Sequence, residues 1–269
     1  MCAFEKREAG LLRKALGGEG VRSFMKPMLV VLVGMILWST AVAQQPSDPC
    51  ASFKEDRQGM EATLRDWPNL AKYREADAKL GPPAKGETRV VFLGDSITEF
   101  WALADSFHGK PYVNRGISGQ TTPQILLRFR QDAISLKPEV VVVLAGTNDV
   151  AENTGPTTLG AIEDNLTSMV ELAKRNGIRV VLASVLPVLQ YPWKPEIAPV
   201  EKIRALNDWM KDYAAKEGLV FLDYYSVMAN DKRGLRAELF EDGVHPNDAG
   251  YAVMAPLAEK AIAAALSKN

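Results

Sequence analysis

Short apolar runs alternate with longer stretches of helical period along most of this chain. The strand candidates are β-branched runs at residues 90–93, 112–114, 140–144, 179–184 and 219–223. Between them, apolar residues recur every three or four positions, as in Leu159, Ile162, Leu166, Val170 and Ala173, and in Ile203, Leu206, Met210 and Ala214. Strands that alternate with helices predict a parallel sheet in a single α/β domain.

The chain before the first strand has a different pattern. Residues 44–52 are polar and loop-like, whereas residues 53–80 are rich in helix formers and are interrupted by Trp67-Pro68. A proline inside a helical pattern breaks the helix, so two helical pieces are predicted. We therefore divide the chain into a signal segment (1–43), a loop and helical lead-in (44–88) and a main domain (89–269).

The N-terminus has the pattern of an export signal. Lys26 precedes the apolar run 28–38, and Ala41-Val42-Ala43 places small residues where a signal peptidase cleaves, so we expect cleavage before Gln44. A membrane anchor or a buried helix would also be apolar, but the uncharged stretch is shorter than the roughly 20 residues of a spanning helix. Met25 would make a conventional start. We expect a periplasmic or extracellular protein without a stable membrane anchor.

Composition and missing motifs exclude several classes of protein. The chain has 32 basic and 33 acidic residues and is 47% hydrophobic, which is typical of a globular protein and not of a nucleic-acid binder or a disordered chain. It contains no Walker loop, no Gly-x-Gly-x-x-Gly, no His-Glu-x-x-His and no Gly-x-Ser-x-Gly. We expect no nucleic-acid partner, no metal and no cofactor, and nothing in the pattern fixes an oligomeric state.

One segment offers a nucleophile. Ser96 lies in Gly94-Asp95-Ser96-Ile97-Thr98, directly after the first predicted strand. A turn at the end of a strand exposes a serine hydroxyl to a substrate and to a general base, which it needs because it is a weak nucleophile by itself. Serine and aspartate also favour helix N-caps, so this segment alone is equally consistent with capping.

A second segment offers the base. His245 follows Asp242 by three residues in Asp242-Gly243-Val244-His245-Pro246. Imidazole suits proton transfer near neutral pH, and a neighbouring carboxylate can fix its tautomer. The other histidine, His108, has no carboxylate closer than Asp105 and is interpreted as structural.

Two more polar segments follow predicted strands, at residues 114–119 (Asn-Arg-Gly-Ile-Ser-Gly) and 145–149 (Ala-Gly-Thr-Asn-Asp). Either could supply hydrogen-bond donors for an oxyanion that develops at an acyl carbon. Glycine and asparagine are also common in ordinary turns. Both interpretations stay open from these residues alone.

These four segments, in this order, resemble the SGNH hydrolases, also called the GDSL lipase and acylhydrolase family, over residues 89–264. Ile97-Thr98 stands where the family's common name has leucine. The resemblance implies a flavodoxin-like three-layer α/β/α sandwich with strand order 2-1-3-4-5. It implies a triad of Ser96, His245 and Asp242, with oxyanion donors at the backbone N–H of Ser96 and of Gly116 and at the amide of Asn148.

The resemblance favours an exported serine esterase that hydrolyses short-chain acyl esters, including O-acetyl groups on carbohydrates, through an acyl-enzyme. A lysophospholipase or thioesterase-like lipid acyl hydrolase is the alternative, and a carbohydrate- or lipid-binding module without catalysis is an alternative of another class. Trp101, Tyr191 and Trp193 are candidates for the walls of the substrate site, although Phe100-Trp101 also suits plain core packing. The loop 189–199, with three prolines and two aromatics, is the predicted specificity element.

Overall fold

The computed structural model describes residues 59–61, 63–230 and 234–268. Thr63–Asn269 form one compact unit, which holds all of the described residues except 59–61. The predicted signal segment and its cleavage site before Gln44 lie outside the described residues. The later part of the predicted lead-in, from Thr63 onward, belongs to the same compact unit as the main domain.

Five parallel strands form the central sheet. They are β1 (Val90–Gly94), β2 (Tyr112–Gly116), β3 (Val140–Leu144), β4 (Arg179–Ala183) and β5 (Val220–Leu222). Their order is β2-β1-β3-β4-β5, so the predicted order 2-1-3-4-5 is confirmed. Gly94 at the end of β1 pairs with Gly116 of β2 and Leu144 of β3. Three strands therefore end side by side, where the order of the strands reverses.

The helices of the described residues are labelled here in chain order. They are α1 (Arg74–Leu80), α2 (Ser96–Glu99), α3 (Leu103–Ser106), α4 (Thr122–Asp132), α5 (Thr147–Val150), α6 (Leu159–Arg175), α7 (Pro199–Glu217), α8 (Tyr225–Met228) and α9 (Asp248–Leu266). Two 3₁₀ turns lie at Ile134–Leu136 and Ala237–Leu239. Residues 63–65 are also helical, and a turn that contains Trp67 and Pro68 separates them from α1.

Successive side chains of each strand point to opposite faces of the sheet and belong to two hydrophobic cores, one on each face. One core joins Val91, Leu93, Val141 and Val143 to the buried stripes of α4, α6 and α7. The other joins Val90, Phe92, Val140 and Val142 to Met254, Ala258 and Ile262 of α9. Length and composition alone would allow α9 to cross a membrane, but its buried face packs on the sheet. The three-layer sandwich predicted from the resemblance is therefore confirmed.

Candidate active site

Ser96, His245 and Asp242 form a continuous hydrogen-bonded line. Ser96 Oγ lies 2.9 Å from His245 Nε2, and His245 Nδ1 lies 2.8 Å from Asp242 Oδ2. Ser96 follows the end of β1, and the other two come from the loop after the second 3₁₀ turn, where His245 is 149 residues along the chain from the serine. The arrangement gives the serine hydroxyl a proton acceptor and gives that acceptor a carboxylate behind it.

The loop that carries the base is built largely by Asp242 itself. Asp242 Oδ1 accepts the backbone N–H of Val244 at 2.9 Å and that of His245 at 2.8 Å, which leaves Oδ2 for the imidazole. Partial burial raises the pKa of Asp242, but the hydrogen bonds from His245 and Val244 outweigh it, so the pKa lies below its usual value. Asp242 is therefore ionised at neutral pH. Val244 is buried in the core and anchors the loop.

The turn that carries Ser96 is held from both sides. Asp95 caps α2, because its Oδ1 accepts the Ile97 N–H at 3.0 Å. From α9, the Tyr251 hydroxyl donates to the Ile97 carbonyl at 2.9 Å. Complete burial raises the pKa of Asp95 to about 7, with Asp149 as a further contributor. Ser96 is 7% exposed, and none of the described residues accepts its backbone N–H.

Asn148 follows β3 in the short helix α5 and is 3% exposed. Its Nδ2 donates one hydrogen to the Gln120 carbonyl at 3.1 Å, and its Oδ1 accepts from Asn153 Nδ2 at 2.7 Å. The neighbouring Asp149 accepts the backbone and hydroxyl hydrogens of Thr122, at the start of α4. Burial raises the pKa of Asp149 to about 6. These contacts join the ends of the second and third strands.

The expectation for Gly116 is wrong in this structure. Its N–H donates to Asn114 Oδ1 at 2.9 Å, and its carbonyl accepts the hydroxyl of Tyr73, so the N–H is not available to an oxyanion. A Cβ at Gly116 would lie 2.1 Å from the backbone nitrogen of Glu99, at the end of α2. Glycine is needed here because the Ser96 helix packs directly against the backbone of β2.

Gly119, the second glycine of the same segment, has the free donor that Gly116 lacks. It is exposed with φ of 76°, and no acceptor among the described residues takes its N–H. Ser118 before it donates to Glu99 of α2, and the Gln120 carbonyl after it accepts the Asn148 amide. Gly119 is therefore tied between the serine helix and Asn148. The two glycines in residues 116–119 were the available signal for a backbone donor in this segment. The pattern alone did not show which of the two has a free N–H.

A buried arginine side chain holds the strand ends next to these loops. Arg128 of α4 is fully buried, and its guanidinium donates to the carbonyls of Gly94 at 2.8 Å and Arg115 at 2.9 Å. It also donates to Gln120 Oε1 at 2.5 Å and to Asp132 Oδ2 at 3.0 Å. One side chain thus connects the ends of β1 and β2 with the loop that carries Gly119.

Two of the three predicted wall residues are buried instead. Trp101 is 3% exposed and stacks on Tyr251 inside the core, and its indole N–H donates to Ser106 Oγ. Tyr191 is 0% exposed and its hydroxyl donates to the Thr147 carbonyl at 2.9 Å. Neither forms a wall beside the triad.

The aromatic rings beside the triad belong to Trp193 and Phe100. Trp193 is 42% exposed, and its ring centroid lies 6.4 Å from that of His245. Phe100 is 57% exposed and lies 5.4 Å from His245. The dipeptide Phe100-Trp101 offered both residues, and the structure exposes the first and buries the second. His108 lies before the N-terminal end of β2, whereas Ser96 follows the C-terminal end of β1.

Comparisons with known proteins show the family to which the chain is similar. Residues 92–253 match the model of the GDSL-like Lipase/Acylhydrolase family. The crystal structure of a GDSL-like lipase from Bacteroides thetaiotaomicron has a TM-score of 0.71 and 45% identity, and the match covers 74% of this chain and 98% of that chain.

Two curated relatives match more distantly. The acetylxylan esterase of Xylanibacter ruminicola is 23% identical over 227 residues, which is 67% of this chain and 44% of that protein. The uncharacterized lipoprotein YqeF of Bacillus subtilis is 32% identical over 129 residues, which is 41% of this chain and 53% of that protein. The matches thus span about half the length of these two relatives.

Proposed function

Because the chain belongs to the GDSL-like lipase/acylhydrolase family and is a carboxylic ester hydrolase, we propose that it cleaves short-chain acyl esters through Ser96, His245 and Asp242. The observation that carries this proposal is the unbroken line of hydrogen bonds, 2.9 Å from Ser96 Oγ to His245 Nε2 and 2.8 Å from His245 Nδ1 to Asp242 Oδ2.

The reaction proceeds in two acyl transfers. His245 Nε2 takes the Ser96 proton as Oγ attacks the ester carbonyl, and the C=O becomes a tetrahedral oxyanion. The intermediate collapses, the bond to the alcohol oxygen breaks, and His245 returns the proton to that oxygen. Water then attacks the acyl-enzyme in the same way, which releases the acid and restores the Ser96 hydroxyl. Asp242 stays ionised and stabilises the imidazolium that forms in each step.

Three N–H groups are proposed to hold the oxyanion. They are the backbone N–H of Ser96, the backbone N–H of Gly119 and the second hydrogen of the Asn148 amide. Each of the two backbone groups lacks an acceptor among the described residues, and Asn148 commits its other amide hydrogen to Gln120. In comparable sites, the loss of one such donor costs about 10²–10³ in kcat.

The surroundings of His245 favour a sugar as the alcohol. His245 protonates the leaving oxygen, so the alcohol must lie beside its ring, where Phe100 and Trp193 also contribute exposed aromatic rings. The adjoining depression is lined by the polar and acidic residues Glu241, Asp242, Asn247 and Asp248 together with Phe100, Pro246, Ala249 and Tyr251. Aromatic faces pack on the C–H face of a sugar, and carboxylates accept hydrogen bonds from its hydroxyls. The same carboxylates would repel an anionic lipid headgroup. The acetylxylan esterase relative supports an O-acetylated carbohydrate as substrate.

Hydrolysis of p-nitrophenyl acetate, butyrate, octanoate and palmitate tests the proposal, beside acetylated xylo-oligosaccharides and the variant Ser96→Ala. We expect the rate to be highest with acetate and to fall by at least about 10⁴-fold in Ser96→Ala. We also propose export, on the pattern of residues 26–43, so the enzyme prepared from the full chain should begin at Gln44.

Each other outcome points elsewhere. A maximum at octanoate or longer would favour the lipid acyl hydrolase, and activity that survives in Ser96→Ala would reject the triad. A folded protein that hydrolyses none of these esters would favour the binding module. An N-terminus that retains residues 26–43 would reject cleavage of the signal.

A further inference from the structure

We propose that Trp193 and Asn153 form a hydrogen-bonded relay that fixes the orientation of the Asn148 amide and so sets the strength of the oxyanion hole. This inference rests on the proposed function and adds two positioning residues to it. The relay consists of two contacts. Trp193 Nε1 donates to Asn153 Oδ1 at 2.9 Å, and Asn153 Nδ2 donates to Asn148 Oδ1 at 2.7 Å.

The backbone places Asn153 beside Asn148. After α5 the chain closes a Schellman motif, in which the Glu152 N–H donates to the Asp149 carbonyl and the Asn153 N–H to the Asn148 carbonyl. Glu152 takes the left-handed conformation that the motif requires, with φ of 56°. In this motif the side chain of the second residue after the C-cap contacts the side chain of the third residue before it. Here those two side chains are the amides of Asn153 and Asn148.

The chemistry of the indole decides which way both amides point. An asparagine can turn its oxygen and nitrogen around, but the Trp193 indole N–H can only donate. Asn153 must therefore present its oxygen to Trp193 and its nitrogen to Asn148. Asn148 must in turn present its oxygen to Asn153, which directs its own NH₂ toward the opposite side.

The other end of Asn148 agrees with this orientation. Its NH₂ faces the Gln120 carbonyl, which can only accept, at 3.1 Å. One amide hydrogen is used there, and the second is left for the oxyanion. Asn148 is thus held between an acceptor on the β2 side and the relay on the other, and the exposed Trp193 ring lies at the outer end of the relay.

The relay connects the oxyanion hole with the predicted specificity loop, residues 189–199. Tyr191, near the start of this loop, donates its hydroxyl hydrogen to the carbonyl of Thr147, next to Asn148. The Trp193 ring centroid lies 5.4 Å from that of Tyr191, with the two rings tilted by 43°. The Trp193 ring is 42% exposed and faces His245. An alcohol group that packs on this ring would shield the indole N–H from water and strengthen both hydrogen bonds of the relay.

The test is a set of double-mutant cycles on p-nitrophenyl acetate hydrolysis, with kcat and KM measured separately. Asn153→Ala should lower kcat by about threefold to tenfold with little change in KM, because the relay acts on the transition state. Asn153→Asp should lower kcat further, because it places an oxygen against Asn148 Oδ1. Trp193→Phe keeps an aromatic ring, although a smaller one, and removes the indole N–H; it should lower kcat about twofold to threefold. In an Asn148→Ala background, all three effects should vanish.

Two matched controls separate positioning from general damage. Asn176→Ala removes an exposed amide that donates to the Leu172 carbonyl at the far end of α6, and Trp209→Phe changes a tryptophan that stacks on Tyr213. Both should leave kcat unchanged. Losses that stay equally large in the Asn148→Ala background, or that fall on KM instead of kcat, would overturn the relay. If Asn153→Ala does not fold, Trp193→Phe carries the same cycle. Activity that does not depend on Ser96 would overturn the proposed function and the relay together, whereas an additive cycle in a Ser96-dependent enzyme would overturn the relay alone.

Discussion

The two halves of the candidate site differ in burial. The half that holds the nucleophile and Asn148 lies inside the protein, with Ser96 7% and Asn148 3% exposed. In the half that holds the base, the side chains of His245 and Asp242 are 19% and 42% exposed. One half is part of the sheet edge and the other is a surface loop that reaches it.

The two halves also differ in what holds them. Contacts distant in sequence hold the buried half, through the Arg128 guanidinium and through Gln120 and Gln124, whose amides donate to the carbonyls of Pro68 and Trp67. Bonds within a few residues hold the base loop, since Asp242 accepts the two N–H groups that shape it. Substitutions in the buried half should therefore affect stability and activity together. Substitutions of Asp242 and His245, which lie outside the hydrophobic core, should affect activity almost alone.

The largest expected effect comes from Asp242→Asn. The asparagine oxygen can still accept the Val244 and His245 N–H groups, so the loop should keep its shape. Its NH₂, however, faces His245 Nδ1 and favours the tautomer that carries its proton on Nε2, which cannot take the Ser96 proton. We expect kcat to fall by about 10³–10⁴-fold while the midpoint of thermal unfolding changes by only a few degrees.

Asp248→Asn is the matched control for this substitution, because Asp248 lines the same depression without contacting the histidine in the described structure. It should retain most of the activity. If Asp242→Asn unfolded the protein in proportion to its loss of activity, the distinction between the two halves would fail.

Substitutions of Gly116 and Gly119 should have effects of intermediate size, and they test what holds the buried half. A methyl group at Gly116 would meet the Glu99 nitrogen at 2.1 Å and the Asp95 carbonyl at 2.7 Å, so Gly116→Ala must displace the Ser96 helix. We expect a loss of about 2–4 kcal/mol in the free energy of unfolding, together with most of the activity. A methyl group at Gly119 meets nothing within 4 Å, and its only cost is the positive φ, about 1 kcal/mol.

Urea unfolding and esterase assays on the two variants measure these differences. Gly119→Ala keeps its N–H and should keep most of its kcat. Equal losses of stability for the two variants would mean that the close packing of β2 against α2 does not constrain the serine turn.

The periodic part of the chain predicted the fold well. The run 140–144 is β3 to the residue, and the other strand predictions differ from the structure by one or two residues at an end. The stripe Ile203, Leu206, Met210 and Ala214 is buried on α7 as its spacing required. Hydrophobic period determines such elements because burial on the sheet is their main source of stability. The segments around Ser96 and His245 were recognisable because their residue types and order are unusual together.

The errors share a physical cause. Phe100 and Trp101 are adjacent apolar residues at the end of a four-residue helix, where no period shows which one faces inward. Gly116 ends β2 and Gly119 lies three residues beyond it, and only the folded structure shows that the Gly116 N–H is bonded to Asn114 while the Gly119 N–H is free of any acceptor among the described residues. Asn153 was missed because its role depends on Glu152 taking a left-handed conformation, which glycine usually marks in a sequence. Contacts between loops are not periodic, so composition and spacing do not reveal them.

The smallest expected effect is on the pH dependence of stability, and it probes the buried half alone. Burial raises the pKa of Asp95 to about 7 from 3.8, so the native state holds this proton more tightly than the unfolded chain does. Its favourable contribution is therefore complete below about pH 4 and is lost as the pH rises toward 7. Asp95→Asn keeps the oxygen that caps α2 but cannot ionise. Urea unfolding measures the free energy of unfolding of both proteins. Between pH 5 and pH 6, the difference between them should change by about 1 kcal/mol in favour of the variant. The exposed Asp105→Asn should show no such shift. A difference between Asp95→Asn and the unaltered protein that stays constant with pH would mean that water or a counter-charge reaches Asp95. The serine turn would then be as accessible to solvent as the base loop.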